Sequence, residues 1–322
     1  MPVLHLQTHR HPVRRQFSHG DLSGNLRKGL NQKRLKGRYI HLVFHLASRC
    51  ITVGPSNTER DRMTILLRED TAHIATLTMN APERLNALSD AMLAALHAAF
   101  DAIAEDSDIH AVILRGTGKA FCAGHDLKEM QAGRQSSDGG AAYFKDLFDR
   151  CAAMMQRIQS MPQPVIAQVH GIATAAGCQL VATCDLAVAS DDTRFGVNGV
   201  NIGLFCSTPM VALTRNINRK AAFEMLTTGR FINTREAQDL GLINRAVPGD
   251  TLEHDTNELA QAIAKKLPSA VKIGKQAFYA QAQMTTADAY AYTGDVMVQN
   301  MLVDDTNEGI NAFLEKRDPN WS

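Results

Sequence analysis

The stretch PVIAQVHGIATAAGCQLVATCDLAVAS, residues 164–190, decides the fold class. Its first part, 164–171, is an apolar run of strand length behind a proline. A turn of small residues follows, then the helical string TAAGCQLVATC, then a second strand, DLAVAS (185–190). The same theme stands upstream, where AVILRG (111–116) reads as a buried strand and GTGKAFCAGHDLKEM (116–130) as a glycine-bearing loop turning into a helix. Repeated strand-then-helix units predict an α/β protein with largely parallel pairing.

Further out, TILLRE and HIATLTM (64–69 and 73–79) read as a hairpin meeting at Asp70-Thr71. Ser89 is the predicted cap of a helix carrying Met92, Leu93, Leu96, Phe100 and Ile103 at helical spacing. Phe144, Leu147, Phe148, Cys151, Met154, Met155 and Ile158 mark a second long helix, stopped at the Pro162 and Pro164 pair. From Asn218 onward helical patterns dominate, which predicts a helical packing or oligomerisation region at the C-terminal end.

The chain has 322 residues, 45% hydrophobic, with 34 Lys+Arg against 33 Asp+Glu. That near-neutral sum conceals two halves: residues 1–62 hold twelve basic and three acidic side chains, a net of +9, and the rest of the chain carries −8. Three segments are therefore expected: a basic extension (1–62), a core (63–255) and a C-terminal helical region (256–322). An Arg-rich, acid-poor leader resembles an organellar transit peptide, which would place the protein in the mitochondrial matrix. An extension upstream of a start at Met63 would leave it cytoplasmic. The apolar stretch Tyr39–Val53 is too short and too polar to span a bilayer, so no membrane partner is expected.

Six cysteines without short spacings point to reduced thiols, and Cys178 and Cys206 read as core thiols. Cys122 and His125 have a C-x-x-H spacing, but no second pair completes four ligands and no metal is expected. The core has no GxGxxG after its first strand, no GxxxxGK[ST], no HExxH and no GxSxG, which removes support for dinucleotide, nucleotide and serine-hydrolase chemistry. The acidic core lacks aromatic base-stacking clusters, so no nucleic-acid partner is expected.

Residues 119–129 and 170–180 share one design, a strand running through small residues into a helix start. Backbone N–H groups there lack intrahelical acceptors, and two such starts facing one point make an oxyanion site. With NALS (86–89), CDLAVAS, FGV…NIGL and AQDLGLINRAVP (237–248), these motifs resemble, in order, the crotonase (enoyl-CoA hydratase/isomerase) superfamily. The resemblance covers roughly residues 64–318. It implies a crotonase-type ββα spiral core with a C-terminal helical domain, assembled as a homotrimer or hexamer. It also implies acyl-CoA or enoyl-CoA thioester as substrate or ligand, with no other cofactor.

By the same resemblance, the thioester oxygen is held by the backbone N–H groups of His125 and Ala176. The substrate and CoA path maps to Arg84, Leu85, Ala87, Ala123, Gly124, Asp126, Leu127, Thr174, Ala175, Asn198 and Lys275, with Arg84 and Lys275 as phosphate partners. Asp126 and Asp185 are expected to hold loop geometry. The pattern breaks at the two glutamates that hydratases of this superfamily use to add water, whose positions hold Gln179 and Gly199. A Gln amide takes no proton at physiological pH, and Gly offers no side chain. Ordinary hydration is therefore expected to be weak or absent. His125, Gln179, Asn198, Cys206 and Ser207 remain as candidate polar groups. The expected function is an enoyl-CoA hydratase/isomerase-like enzyme of fatty-acid metabolism, or alternatively an acyl-CoA-binding sensor or partner without turnover.

Overall fold

The computed structural model describes residues 65–321, so the expectations for the extension 1–62 lie outside the described residues. Strands β1 (Leu66–Thr71) and β2 (Ile74–Met79) form the opening antiparallel hairpin. Its turn is Ala72-His73, two residues beyond the expected joint, because β1 stays paired through Thr71↔Ile74. Both turn residues have positive φ, 50° and 65°, as a two-residue turn matched to strand twist requires.

Helix α1 (Asp90–Ala104) starts where predicted, with Ser89 Oγ accepting the Met92 N–H. Strand β3 (Ala111–Gly116) leads to the short helix α2 (Leu127–Gly133) and the long helix α3 (Ala141–Ser160). Strand β4 (Val165–Val169) comes next, then β5 (Ile172–Thr174), helix α4 (Ala176–Thr183) and β6 (Leu186–Ser190). Strand β7 (Arg194–Gly196), helices α5 (Ser207–Asn216) and α6 (Arg219–Thr228), β8 (Phe231–Asn233), α7 (Thr234–Asp239) and β9 (Arg245–Val247) follow. The chain closes with α8 (Leu252–Ala264), α9 (Pro268–Gln281), α10 (Thr286–Met301) and α11 (Asp304–Glu315).

The larger sheet has the order β1-β2-β3-β4-β6-β9, and every pairing after the hairpin is parallel. A small sheet, β5-β7-β8, stands beside the turn that starts α4. Alternation along the central strands sorts side chains between two cores. Ala75, Leu77, Val112, Leu114, Val165, Ala167 and Ala187 face the main core with α1, α3 and α4. Ile74, Ile113, Ile166 and Val188 face the other way, where Leu252, Ala260 and Ala264 of α8 cover them. The expected boundary at 255/256 thus falls inside one continuous helix that belongs to the core. Helices α10 and α11 bury almost nothing; of their side chains only Ala312 is fully enclosed.

Candidate active site

Three loops converge where the sheet's C-terminal ends meet the small sheet. Asn86 joins two of them from inside: its Oδ1 accepts the Ala81 N–H at 2.9 Å, and its Nδ2 donates to the Thr117 and Ala120 carbonyls at 2.8 Å each. Backbone bonds Ala123 N–H to Leu85 O (3.0 Å) and Leu88 N–H to Gly124 O (2.7 Å) hold 122–125 against NALS. Cys122 N–H to Ile172 O (3.2 Å) and Thr174 N–H to Cys122 O (3.0 Å) hold it against β5. The sequence pointed to NALS only as a motif. The cause is an amide whose three bonds tie segments 30 residues apart.

Glycine is required at two positions here. Gly124 has φ +89°, and a Cβ there would lie 3.0 Å from Ala175 Cβ and 3.2 Å from the Ala176 nitrogen. A Cβ at Gly177 would lie 2.1 Å from the Cys122 carbonyl oxygen. These approaches bring the residue before His125 against the start of α4. Ala176 is the first residue of that helix, so its N–H has no intrahelical acceptor. Among the described residues, neither it nor the His125 N–H has a hydrogen-bond acceptor.

Beside these donors is a cavity of about 340 Å³. Of the residues expected at the site, Ala123, His125, Leu127, Thr174, Ala175, Ala176, Asn198 and Gly199 line it. The rest of its wall is mainly apolar, from Met130, Phe148, Ile202, Leu204, Phe205 and Pro209, with Cys206, Ser207 and Thr208 at one side. Phe148 had been readable only as a helical core position; its ring meets that of His125 edge-on at 5.7 Å.

Side-chain chemistry at the wall is sparse. His125 Nδ1 lies 3.4 Å from the Leu88 carbonyl oxygen, and its Nε2 is buried without a partner among the described residues. Burial lowers its pKa, with nearby Arg150 acting in the same sense and the Leu88 carbonyl and Asp90 opposing. The imidazole is therefore neutral near pH 7. Thr174 Oγ1 donates to Asn198 Oδ1 at 2.5 Å. Burial raises the Cys206 thiol, and Cys178, away from the cavity, is pushed up to about 12. Both thiols are thus protonated near pH 7, as core thiols are.

Several expected residues fall elsewhere. Gln179 on α4 is buried, does not line the cavity, and its Oε1 has no partner among the described residues. Lys275 is a correction. Its Nζ is buried and donates to Ile158 O (2.7 Å), Gln163 O (2.9 Å) and Asp185 Oδ2 (2.7 Å), which leaves it no phosphate to reach. Arg84 pairs with the start of α2, its Nε donating to Asp126 at 2.8 Å and its Nη2 to Glu129 at 2.9 Å, while the side chain stays 38% exposed. Asp126 caps α2 by accepting the Lys128 and Glu129 N–H groups. Burial disfavours its charge, but those N–H bonds and Arg84 outweigh burial and hold its pKa below the ordinary value. Leu85 supplies the carbonyl for Ala123, and Ala87 is buried; neither lines the cavity. Among the described residues, no group of three or more His, Cys, Asp or Glu is placed to hold a metal, and no helix is long and apolar enough to cross a membrane.

Parallel-rich sheet, converging loops and paired free N–H groups at an apolar cavity define a crotonase fold. The sequence matches the model of the enoyl-CoA hydratase/isomerase family over residues 69–322, and the chain belongs to that family. Within it, the chain is 42% identical over 267 residues to the Xenopus laevis protein named enoyl-CoA hydratase domain-containing protein 3, mitochondrial, covering 83% of this chain and 88% of that one. Identity to the Homo sapiens protein of the same name is 44% over 249 residues, 77% of this chain and 80% of that one. The crystal structure of that human protein matches with a TM-score of 0.77 at 42% identity, over 80% of this chain and 100% of that chain. An enoyl-CoA hydratase structure from Mycobacterium smegmatis matches with a TM-score of 0.77 at 53% identity, over 80% and 98%.

Proposed function

We propose that this protein binds acyl- or enoyl-CoA thioesters with the thioester oxygen between the N–H groups of His125 and Ala176, and that it works through a thioester enolate rather than by ordinary water addition. The observation that carries this reading is the pair of unbonded N–H groups at the edge of an apolar cavity. Donors so placed stabilise charge that develops on a carbonyl oxygen, each by about 10²–10³ in rate.

Hydration is expected to be weak because general acid and base groups contribute about 10²–10⁴-fold each, and neither family glutamate is present. The second cannot be supplied by simple substitution. A Cβ at Gly199 would lie 2.3 Å from the Leu204 carbonyl oxygen and 2.9 Å from Cys206 Sγ. A non-catalytic acyl-CoA-binding sensor is the second reading, favoured by Gln179 lying outside the cavity wall.

A homotrimer or hexamer would cover the apolar side chains that the last helices expose, Leu302 at 79% and Phe313 at 82% among them. Sedimentation velocity tests that assembly. The name "mitochondrial" carried by the vertebrate relatives supports a matrix address, with residues 1–62 as transit peptide.

The test is calorimetric titration of the full chain with saturated and 2-enoyl-CoA esters, with hydration followed by loss of enoyl absorbance. Binding with little hydration is expected. Binding to no CoA ester would sink both readings, and rapid hydration would overturn the account of the missing glutamates.

A further inference from the structure

We infer that His125 acts twice at this site: its backbone N–H holds the thioester oxygen, and its imidazole Nε2 is the base that removes a proton from the α-carbon of the bound acyl group. This rests on the acyl-CoA reading above and names the proton acceptor which that reading leaves open.

Elimination along the cavity wall leads to it. Among the described residues no carboxylate lines the cavity, and Gln179 stands outside it. Gly199 has no side chain, and Asn198 Oδ1 already accepts from Thr174. The remaining hydroxyls, Thr174, Ser207 and Thr208, are not bases near neutral pH. Cys206 is held as the thiol by burial. His125 is the one cavity-lining group among the described residues that is both unprotonated and basic near pH 7.

The ring's anchoring points the same way. With Nδ1 facing the Leu88 carbonyl, the proton of the neutral imidazole belongs on Nδ1 and the lone pair on Nε2. That Nε2 is buried and meets no donor among the described residues. Its lone pair is thus not committed to another protein group. Nε2 is covered in this conformation, so the base role requires the ring to turn about χ2, a soft torsion, when substrate binds, giving up the 3.4 Å contact with the Leu88 carbonyl.

The charged groups around the ring are Arg150 on α3 and Asp90 at the start of α1, joined at 2.7 Å, with the Tyr143 hydroxyl donating to Asp90 at 3.5 Å. Asp126 follows in the chain but is occupied by Arg84 and the α2 cap. Among the described residues no carboxylate is bonded to the imidazole to hold it protonated.

In the step itself, the α-C–H bond breaks and its proton passes to Nε2, giving an imidazolium. The C–H electron pair forms the Cα=C bond of the enolate. The carbonyl π pair moves onto oxygen, where the two N–H groups receive it. Return of the proton to the same carbon gives exchange; with a 3-enoyl group, whose dienolate also carries charge at the γ-carbon, its delivery there gives the 2-enoyl ester. No oxidant or other reactant is needed.

The experiment measures α-deuteration of a saturated acyl-CoA in D2O by the full chain, with binding measured in parallel by calorimetry. Exchange by the wild type is expected, rising with pH to a plateau through a midpoint below the ordinary histidine value. His125→Gln and His125→Ala should each slow exchange by about 10²-fold or more, while acyl-CoA affinity changes only severalfold because the backbone N–H persists in both. Exchange undiminished in His125→Gln, or absent in a wild type that binds acyl-CoA, would overturn the base assignment and leave the binding reading standing. Absence of binding by the wild type would overturn both.

Discussion

Ala175, at the entry to α4, has φ 50° and ψ −119°, a backbone region that a side chain occupies only under strain. Such strain costs about 1–3 kcal/mol and is kept where the surroundings impose it. Here its N–H donates to Gly196 O at 2.9 Å, and the conformation leaves the next N–H, that of Ala176, unbonded. Ala175→Gly should therefore raise stability by about 1 kcal/mol, the relief of strain exceeding the roughly 0.5–1 kcal/mol entropic cost of glycine. Equilibrium urea denaturation reads this as a higher midpoint with unchanged slope. At this scale the small-residue turn was legible from its composition, and Gln179 and Gly199 were legible by counting along the motifs. That Gln179 does not line the cavity was not, because one residue of helical rotation decides it.

Helix α2 is seven residues long and buries none of its side chains, so its start must be held by polar contacts. Asp126 provides them, and Glu129 carries the link onward by accepting the Asp90 N–H at the start of α1 (2.8 Å). Asp126→Ala should cost about 1–2 kcal/mol at pH 7 through the lost cap. The folded-state pKa of Asp126 is depressed, so its contribution is full above the unfolded value of 3.8 and is lost as pH falls through the folded one. The gap between wild type and variant should accordingly close below about pH 4, measured by denaturation across pH. Long periodic elements such as α1, α3 and the central strands were readable, since one buried stripe or alternating face marks each of them. The three-residue strands β5, β7 and β8 were not. Ile172 and Ala173 were expected in the turn and Thr174 at the head of the helical string, and no period can show in so short a segment.

Across the whole molecule, Lys275, Asp185 and Tyr279 form a buried latch. Asp185 accepts from Lys275 Nζ, from the Tyr279 hydroxyl at 2.8 Å and from the Val165 N–H at 2.7 Å. The latch ties α9 to the starts of β4 and β6 and to the end of α3. Burial lowers the Lys275 pKa and Asp185 counteracts it, so the ammonium depends on that partner. Lys275→Met should destabilise the fold by about 3–5 kcal/mol by leaving Asp185 uncompensated. Acyl-CoA affinity of the folded fraction should be little changed, which calorimetry on the variant would check. A large loss of affinity without loss of stability would restore the phosphate role.

The sequence by itself determined the α/β class, the order of the longer elements, the two small-residue turns and the places of Gln179 and Gly199 in their motifs, because each is written in local spacing. The three-dimensional fold decided which polar groups meet. Lys275 went to Asp185 rather than to a phosphate, Arg84 to Asp126 and Glu129, and His125 to a cavity wall with Phe148 at its side. Those partners lie from 23 to 90 residues apart in the chain, and only the crossing of strands and helices brings them within hydrogen-bond or van der Waals reach.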